Sequence, residues 1–229
     1  MRETEHYEHY GEDYFAWQQK LGEFSAKANL FRFVPYVRPT DRVVDFGCGG
    51  GYLLSRLKCA ERIGVEINPT ARQEAQRQNI KCFASSNDLP DGWADLIISH
   101  SALEHVEAPL TELRQLFSKA RPGGLLVFSV PHESLGWAYK PDDINQHLYT
   151  WSPMAAGNLF RRAGFQVRSV SADRTLWPPK FEQIYSALGE PGFRVTSKVY
   201  RFVRLLFSPV KPFASDATLT VVADRPVGE

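Results

Sequence analysis

Val43-Val44-Asp45-Phe46-Gly47-Cys48-Gly49-Gly50-Gly51 is an apolar run ending in a turn that lacks a Cβ at four of its last five positions. Glycine there permits positive φ and lets a ligand approach the backbone closely. Tyr52, Leu53, Leu54 and Leu57 predict a helix directly after it, whose unpaired N–H groups and positive dipole end suit a carboxylate as readily as a phosphate. A dinucleotide fingerprint would place glycine or alanine three residues beyond Gly49, where Tyr52 stands, so hydride chemistry is disfavoured. No Gly-Lys-Ser/Thr follows, which removes a Walker loop. Glu66 lies 19 residues beyond Gly47, at the end of the next expected strand in Ile63-Gly64-Val65-Glu66-Ile67. An isolated glutamate reads as a solvated loop acid; one strand after a glycine turn, it reads as an acceptor for both hydroxyls of a ribose.

Outward from this unit, β-branched runs recur at Arg42–Phe46, Arg62–Ile67, Ile80–Phe83, Asp95–Ser99, Leu125–Val130, Phe165–Val170 and Ala217–Ala223. Mostly helical stretches separate them, Leu110, Leu113, Leu116 and Phe117 marking one that Pro122-Gly123-Gly124 stops. The alternation predicts a parallel sheet wrapped by helices. The last run follows a long connection and is expected as an antiparallel strand at the sheet edge. Residues 41–171 and 217–224 form the expected core of one domain spanning 1–229. Residues 1–40 are read as an N-terminal helical cap and 172–216 as an insert. Both either cover the site as lids or pack against the sheet.

The 229 residues suffice for one such domain, and a net charge of +1 supplies no global field for nucleic acid. Cys48, Cys59 and Cys82 are odd in number and lack zinc-type spacing, which argues against a disulfide framework and fits a reducing cytoplasm. The polar N-terminus does not resemble a signal peptide, and no run reaches the length of a membrane span. No arrangement of histidines and acids along the chain has metal-type spacing, so no metal is expected.

Taken together these residues resemble the seven-stranded class I S-adenosylmethionine-dependent methyltransferases, above all the small-molecule group that carries Leu-Glu-His-Val, here Leu103-Glu104-His105-Val106. The resemblance spans roughly residues 40–171 and the final strand. Asp95–Val106 (DLIISHSALEHV) matches the fourth strand and its loop, and Arg121–Pro131 (RPGGLLVFSVP) the fifth-strand motif. It implies an α/β fold, a Rossmann-like sheet mostly parallel with an antiparallel last strand, and S-adenosylmethionine as cofactor. By the same resemblance Asp45, Gly47, Cys48 and Gly49 lie at the methionine end, Glu66 and Ile67 at the ribose, and Ser99 and His100 toward cofactor and acceptor. The adenine is expected at Ser85 and Ser86, where relatives commonly carry an acid; Asn87 or Asp88 are the alternatives. GEDYFAWQQKLGEFSAKANLF near the N-terminus is similar to methyltransferases found beside bacterial surface-polysaccharide enzymes, which ranks a sugar or sugar-linked acceptor first.

Methyl transfer to a hydroxyl needs a proton acceptor, and His100, His105, His132 and His147 all fall at or after expected strand ends. His105 and His147 are the favoured catalytic residues, each with a structural alternative: ordering a loop for the first, a hinge for the second. His6 and His9 are expected in solvent. Amino-group enzymes often carry Asn/Asp-Pro-Pro-Tyr/Phe where Ser99-His100-Ser101-Ala102 stands here, so an oxygen acceptor is favoured; small-molecule N-methylation and a non-catalytic cofactor-binding partner are the alternatives. Residues 193–213 carry Arg194, Lys198, Arg201, Arg204 and Lys211 with no acid, interleaved with Val195, Val199, Phe202, Val203 and Leu206. This basic amphipathic helix reads either as a peripheral membrane contact or as a lid with a solvated face. Oligomeric state is left open.

Overall fold

Seven strands, β1 (Arg42–Phe46), β2 (Glu61–Val65), β3 (Lys81–Phe83), β4 (Ala94–His100), β5 (Ala120–His132), β6 (Gln166–Asp173) and β7 (Ala217–Asp224), form one sheet in the computed structural model. The structure describes residues 22–133, 138–141, 143, 145–173, 177–207 and 217–228, leaving aside the side chains of Arg204 and Leu205. The expectations for His6, His9 and residues 208–216 lie outside the described residues.

The strand order is β3-β2-β1-β4-β5-β7-β6. β3 to β5 run parallel, and β7 is antiparallel to both β5 and β6. The antiparallel direction of β7 agrees with the sequence expectation, but its place does not: β7 inserts between β5 and β6, and β6 is the edge. β7 has few polar side chains, and Leu219, Val221, Val222 and Ala223 are buried. A strand apolar on both faces belongs inside a sheet rather than at its rim. No residue of β6 is buried, in keeping with its place at the edge.

The chain reverses direction across the sheet between β1 and β4, so a crevice opens beyond their carboxyl ends. Both the glycine turn and the loop after β4 face it. Helices α2 (Pro69–Arg77), α3 (Pro109–Lys119) and α4 (Pro153–Arg162) follow a first helix, α1, at 22–29. Proline stands in the first turn of α2, α3 and α4, where its missing N–H costs nothing. Asn68 Oδ1 accepts from the Thr70 and Ala71 N–H groups at the start of α2, and Ser152 Oγ accepts from Ala155 N–H at the start of α4. Thr150 Oγ1, just before this cap, accepts from Glu133 N–H. α3 buries Leu113 and Leu116 against the sheet, each contributing roughly 1.5–3 kcal/mol.

The helix expected after the glycine turn is reduced to a three-residue 3-10 turn, Leu54–Arg56. Gly49 and Gly51 at φ +52° and +78° carry the chain off a helical path before it. No helix dipole therefore faces the ligand side, and most of the turn's N–H groups are used internally: those of Gly47 and Cys48 donate to Val65 O, that of Gly49 to Glu66 and that of Gly51 to Cys48 O. β5 also begins earlier than expected, with Arg121-Pro122-Gly123-Gly124 inside its irregular first half. Finally, α5 (Phe181–Phe207) is bent at Gly189. Phe24 of α1 packs on Trp177, Phe181, Tyr185 and Phe193, so α1 and α5 share a small aromatic core of their own.

Candidate active site

The crevice beyond β1 and β4 is a cleft of about 520 Å³. Gly47, Glu66, Ile67, Ser85 and Ser86 of the expected cofactor set line it, together with Asn68, Arg72, Ser101, Ala102 and His105. Glu66 is held from two sides: Gly49 N–H donates to Oε2 and Asn68 N–H to Oε1, both at 2.9 Å. Burial raises its carboxyl above the usual range, and the two backbone donors pull it back down. Each oxygen keeps a second lone pair for a ligand hydroxyl.

Asp45, Cys48 and Ser99 are buried behind this wall rather than exposed in it. Burial, reinforced by the nearby Glu66, drives the Asp45 carboxyl well up. Ser99 Oγ donates to Phe46 O at 2.8 Å and thereby ties β4 to the end of β1. Ser85 Oγ is used as the cap of a short 3-10 turn, accepting from Asn87 N–H. Asn87 and Asp88, the alternatives for the adenine contact, are exposed and not among the residues that line the cleft.

Gly47 sits at φ +73°, and a Cβ built on it would lie 2.2 Å from Ala102 Cβ. The crossover brings these two loops into contact, so the glycine is a packing requirement as well as a conformational one. Gly47→Ala is expected to cost about 1–3 kcal/mol, lowering the melting temperature by several degrees. The displaced loop should also weaken cofactor binding; a thermal melt and a calorimetric titration check the two effects separately.

His105 lines the cleft, and His147 packs edge-on against it with ring centroids 4.9 Å apart. His147 Nδ1 lies 2.6 Å from Glu133 Oε1. Glu104, between Leu103 and His105 on a 3-10 turn, is fully enclosed, and neither of its carboxylate oxygens has a hydrogen-bond partner. Burial, with a push from Glu133, raises its carboxyl to about 8. The loop carrying His147 is laced to this turn by Leu148 and Tyr149, whose N–H groups donate to Glu104 O at 2.9 and 3.3 Å. The two expected catalytic histidines thus come together, although 42 residues separate them. Glu104, His105 and His147 place one ligand atom each within 4.8 Å of one another, an arrangement that the chain's spacing did not suggest.

His100 faces elsewhere. It lines a second pocket of about 290 Å³ with Arg32, Trp177, Phe193 and Arg194, which shares Ser101 with the cleft. Its Nδ1 is enclosed without a partner, and burial, with the nearby Arg32, lowers its pKa to about 4. Arg32 is buried and paired with Asp173 at 2.8 Å. Arg194 lies over the Phe31 ring, 4.2 Å from its centroid. Sequence reading missed this pocket, because its walls come from α1, the end of β4 and α5.

Residues 10–170 match a family described as a methyltransferase domain. The ribosomal protein L11 methyltransferase of Ralstonia pickettii is 34% identical over 103 residues, covering 41% of this chain and 33% of that protein. A tRNA U34 carboxymethyltransferase of Tolumonas auensis is 30% identical over 166 residues, covering 63% and 51% respectively. The chain therefore spans a third to a half of the length of these two curated relatives. A SAM-dependent methyltransferase from Thermotoga maritima has the same fold, with a TM-score of 0.63, 19% identity, and coverage of 93% of this chain and 94% of that one. The matched domain, the seven-stranded sheet and the glycine turn at its switch point agree, and the chain belongs to the class I S-adenosylmethionine-dependent methyltransferases.

Proposed function

We infer that the enzyme moves the methyl group of S-adenosylmethionine to a hydroxyl of a small molecule, with a sugar or sugar-linked intermediate as the preferred acceptor. The bond between Glu133 and His147 carries this reading. A carboxylate that fixes the proton on Nδ1 leaves the Nε2 lone pair available, which is what removal of a hydroxyl proton requires. The reaction is an in-line displacement, so the remaining task of the protein is alignment and exclusion of water. The second pocket supports a small acceptor: it adjoins the cleft through Ser101, and its Arg32 and Arg194 suit a phosphate or carboxylate on the acceptor. α1 and α5, which wall it, serve as the lid in this reading, within one domain whose core is 41–171 and 217–224.

Incubation with labelled cofactor and sugar-nucleotide or lipid-linked extracts, followed by mass spectrometry, tests the acceptor. A methyl increment on oxygen supports the reading; label confined to RNA, protein or an amine contradicts it. Cofactor binding with no transfer to any fraction favours a non-catalytic binding partner.

α5 also supports a surface contact. Among the described residues no helix is long and apolar enough to cross a membrane. Phe193 and Ser197 face inward, whereas Val195, Val199, Phe202, Val203 and Leu206 are exposed in a row. Arg194 turns toward Phe31, so Lys198 and Arg201 remain as the described basic flank. Two such charges at an anionic surface contribute about 2 kcal/mol. The protein is expected to sediment with anionic vesicles at low salt and Phe202→Glu to remain in the supernatant; equal recovery of both in the supernatant removes the contact.

A further inference from the structure

The enclosed Glu104 carboxylate sets a problem that hydrogen bonding does not solve. It is 0% exposed, and both of its oxygens lack a donor. An unpaired carboxylate in such a place costs several kcal/mol, so a compensating charge or proton is required. His147 lies beside it, with Nε2 4.0 Å from Glu104 Oε1. That separation is too long for a direct hydrogen bond.

It is close to the separation of two ligands on one small ion. Donor atoms about 2.0–2.2 Å from a tetrahedral Zn²⁺ lie roughly 3.4 Å apart, so a contraction of about an ångström completes the site. Glu133 holds His147 at Nδ1, the carboxylate–imidazole contact that orients a metal-binding histidine and directs Nε2 toward the ion. The backbone bonds from Leu148 and Tyr149 to Glu104 O keep the two chain segments in place. His105 supplies the third ligand atom and lines the cofactor cleft, so a vacant coordination position would open toward the reacting groups.

We propose that Glu104, His105 and His147 hold a divalent transition-metal ion, Zn²⁺ being the best match to two imidazoles and one carboxylate, with Glu133 as a positioning residue. The inference rests on the hydroxyl-transfer reading for its consequence, though not for the site itself, and it replaces the general-base step: with Nε2 on the ion, His147 is a ligand and no longer takes the hydroxyl proton. The acceptor hydroxyl coordinates the ion and releases its proton to water. The oxygen then forms a bond to the methyl carbon as the carbon–sulfur bond breaks, its electron pair returning to sulfur to give S-adenosylhomocysteine.

The test is titration of tag-free, metal-stripped full-length protein with Co²⁺, followed by displacement with Zn²⁺. Saturable Co²⁺ binding with visible absorption bands is expected, lost in His147→Ala and in Glu104→Gln. Glu133→Gln is expected to weaken binding about 10- to 100-fold. Circular dichroism and S-adenosylmethionine binding show whether each variant is folded, and His147→Ala decides if Glu104→Gln is not. Absence of saturable binding, or binding that both folded variants retain, overturns the site. Hydroxyl methylation at an undiminished rate in the metal-stripped enzyme overturns the ion's part in the reaction while leaving the function reading intact. Conversely, specific ion binding in a protein that methylates only amines upholds the site and refutes that reading.

Discussion

Glu66→Ala is expected to weaken S-adenosylmethionine binding by at least about a hundredfold, since two hydrogen bonds from ribose hydroxyls to a carboxylate contribute about 3 kcal/mol or more. The loss has a second source. Glu66 also accepts the Gly49 and Asn68 N–H groups, so its removal releases the glycine turn and the entry to α2 together. Glu66→Gln separates the two effects, because the amide retains one carbonyl oxygen and the volume of the side chain. Its affinity should fall between wild type and Glu66→Ala. Calorimetry with the cofactor and with S-adenosylhomocysteine measures both variants, and unchanged affinity in Glu66→Ala would remove Glu66 from the site.

The second large effect is on turnover. His147→Ala is expected to lower kcat by about 10²–10⁴-fold, the range for loss of a proton-handling group. Cofactor affinity should hold, because His147 is not among the residues lining the cofactor cleft. His105→Ala should act in the same direction but also raise the cofactor KM, since His105 lines the cleft. A loss in kcat with an unchanged pH profile points to a structural hinge instead. Should both variants turn over at the wild-type rate with saturating substrate, the catalytic assignments fail while the family assignment stands.

What could be read from the sequence was local. The strand before Gly47, the glycine turn and the acid 19 residues later all lie within one β-turn-β-type unit, so their order along the chain carries their geometry. The strand positions followed from short apolar runs for the same reason. The place of β7 did not, because an apolar run states that a strand is buried without naming its neighbours. The expected helix after the turn failed on Gly49 and Gly51, whose positive φ outweighed the leucine spacing beyond them. The cluster of Glu104, His105 and His147 was invisible for a different reason. Its members are joined by backbone bonds between the segment after β4 and the loop before α4, and no spacing rule spans that connection. Arg32 and His100 share a pocket for a similar reason, as α1 folds back over the end of β4.

The most direct measurement is a crystal structure of the protein grown with S-adenosylhomocysteine. The account predicts density in the cleft between Gly47 and Ser85, with both ribose hydroxyls within hydrogen-bond distance of the Glu66 carboxylate and the sulfur facing the His105 side. An empty cleft, or a ligand bound elsewhere with Glu66 still engaged only by Gly49 and Asn68, would contradict it.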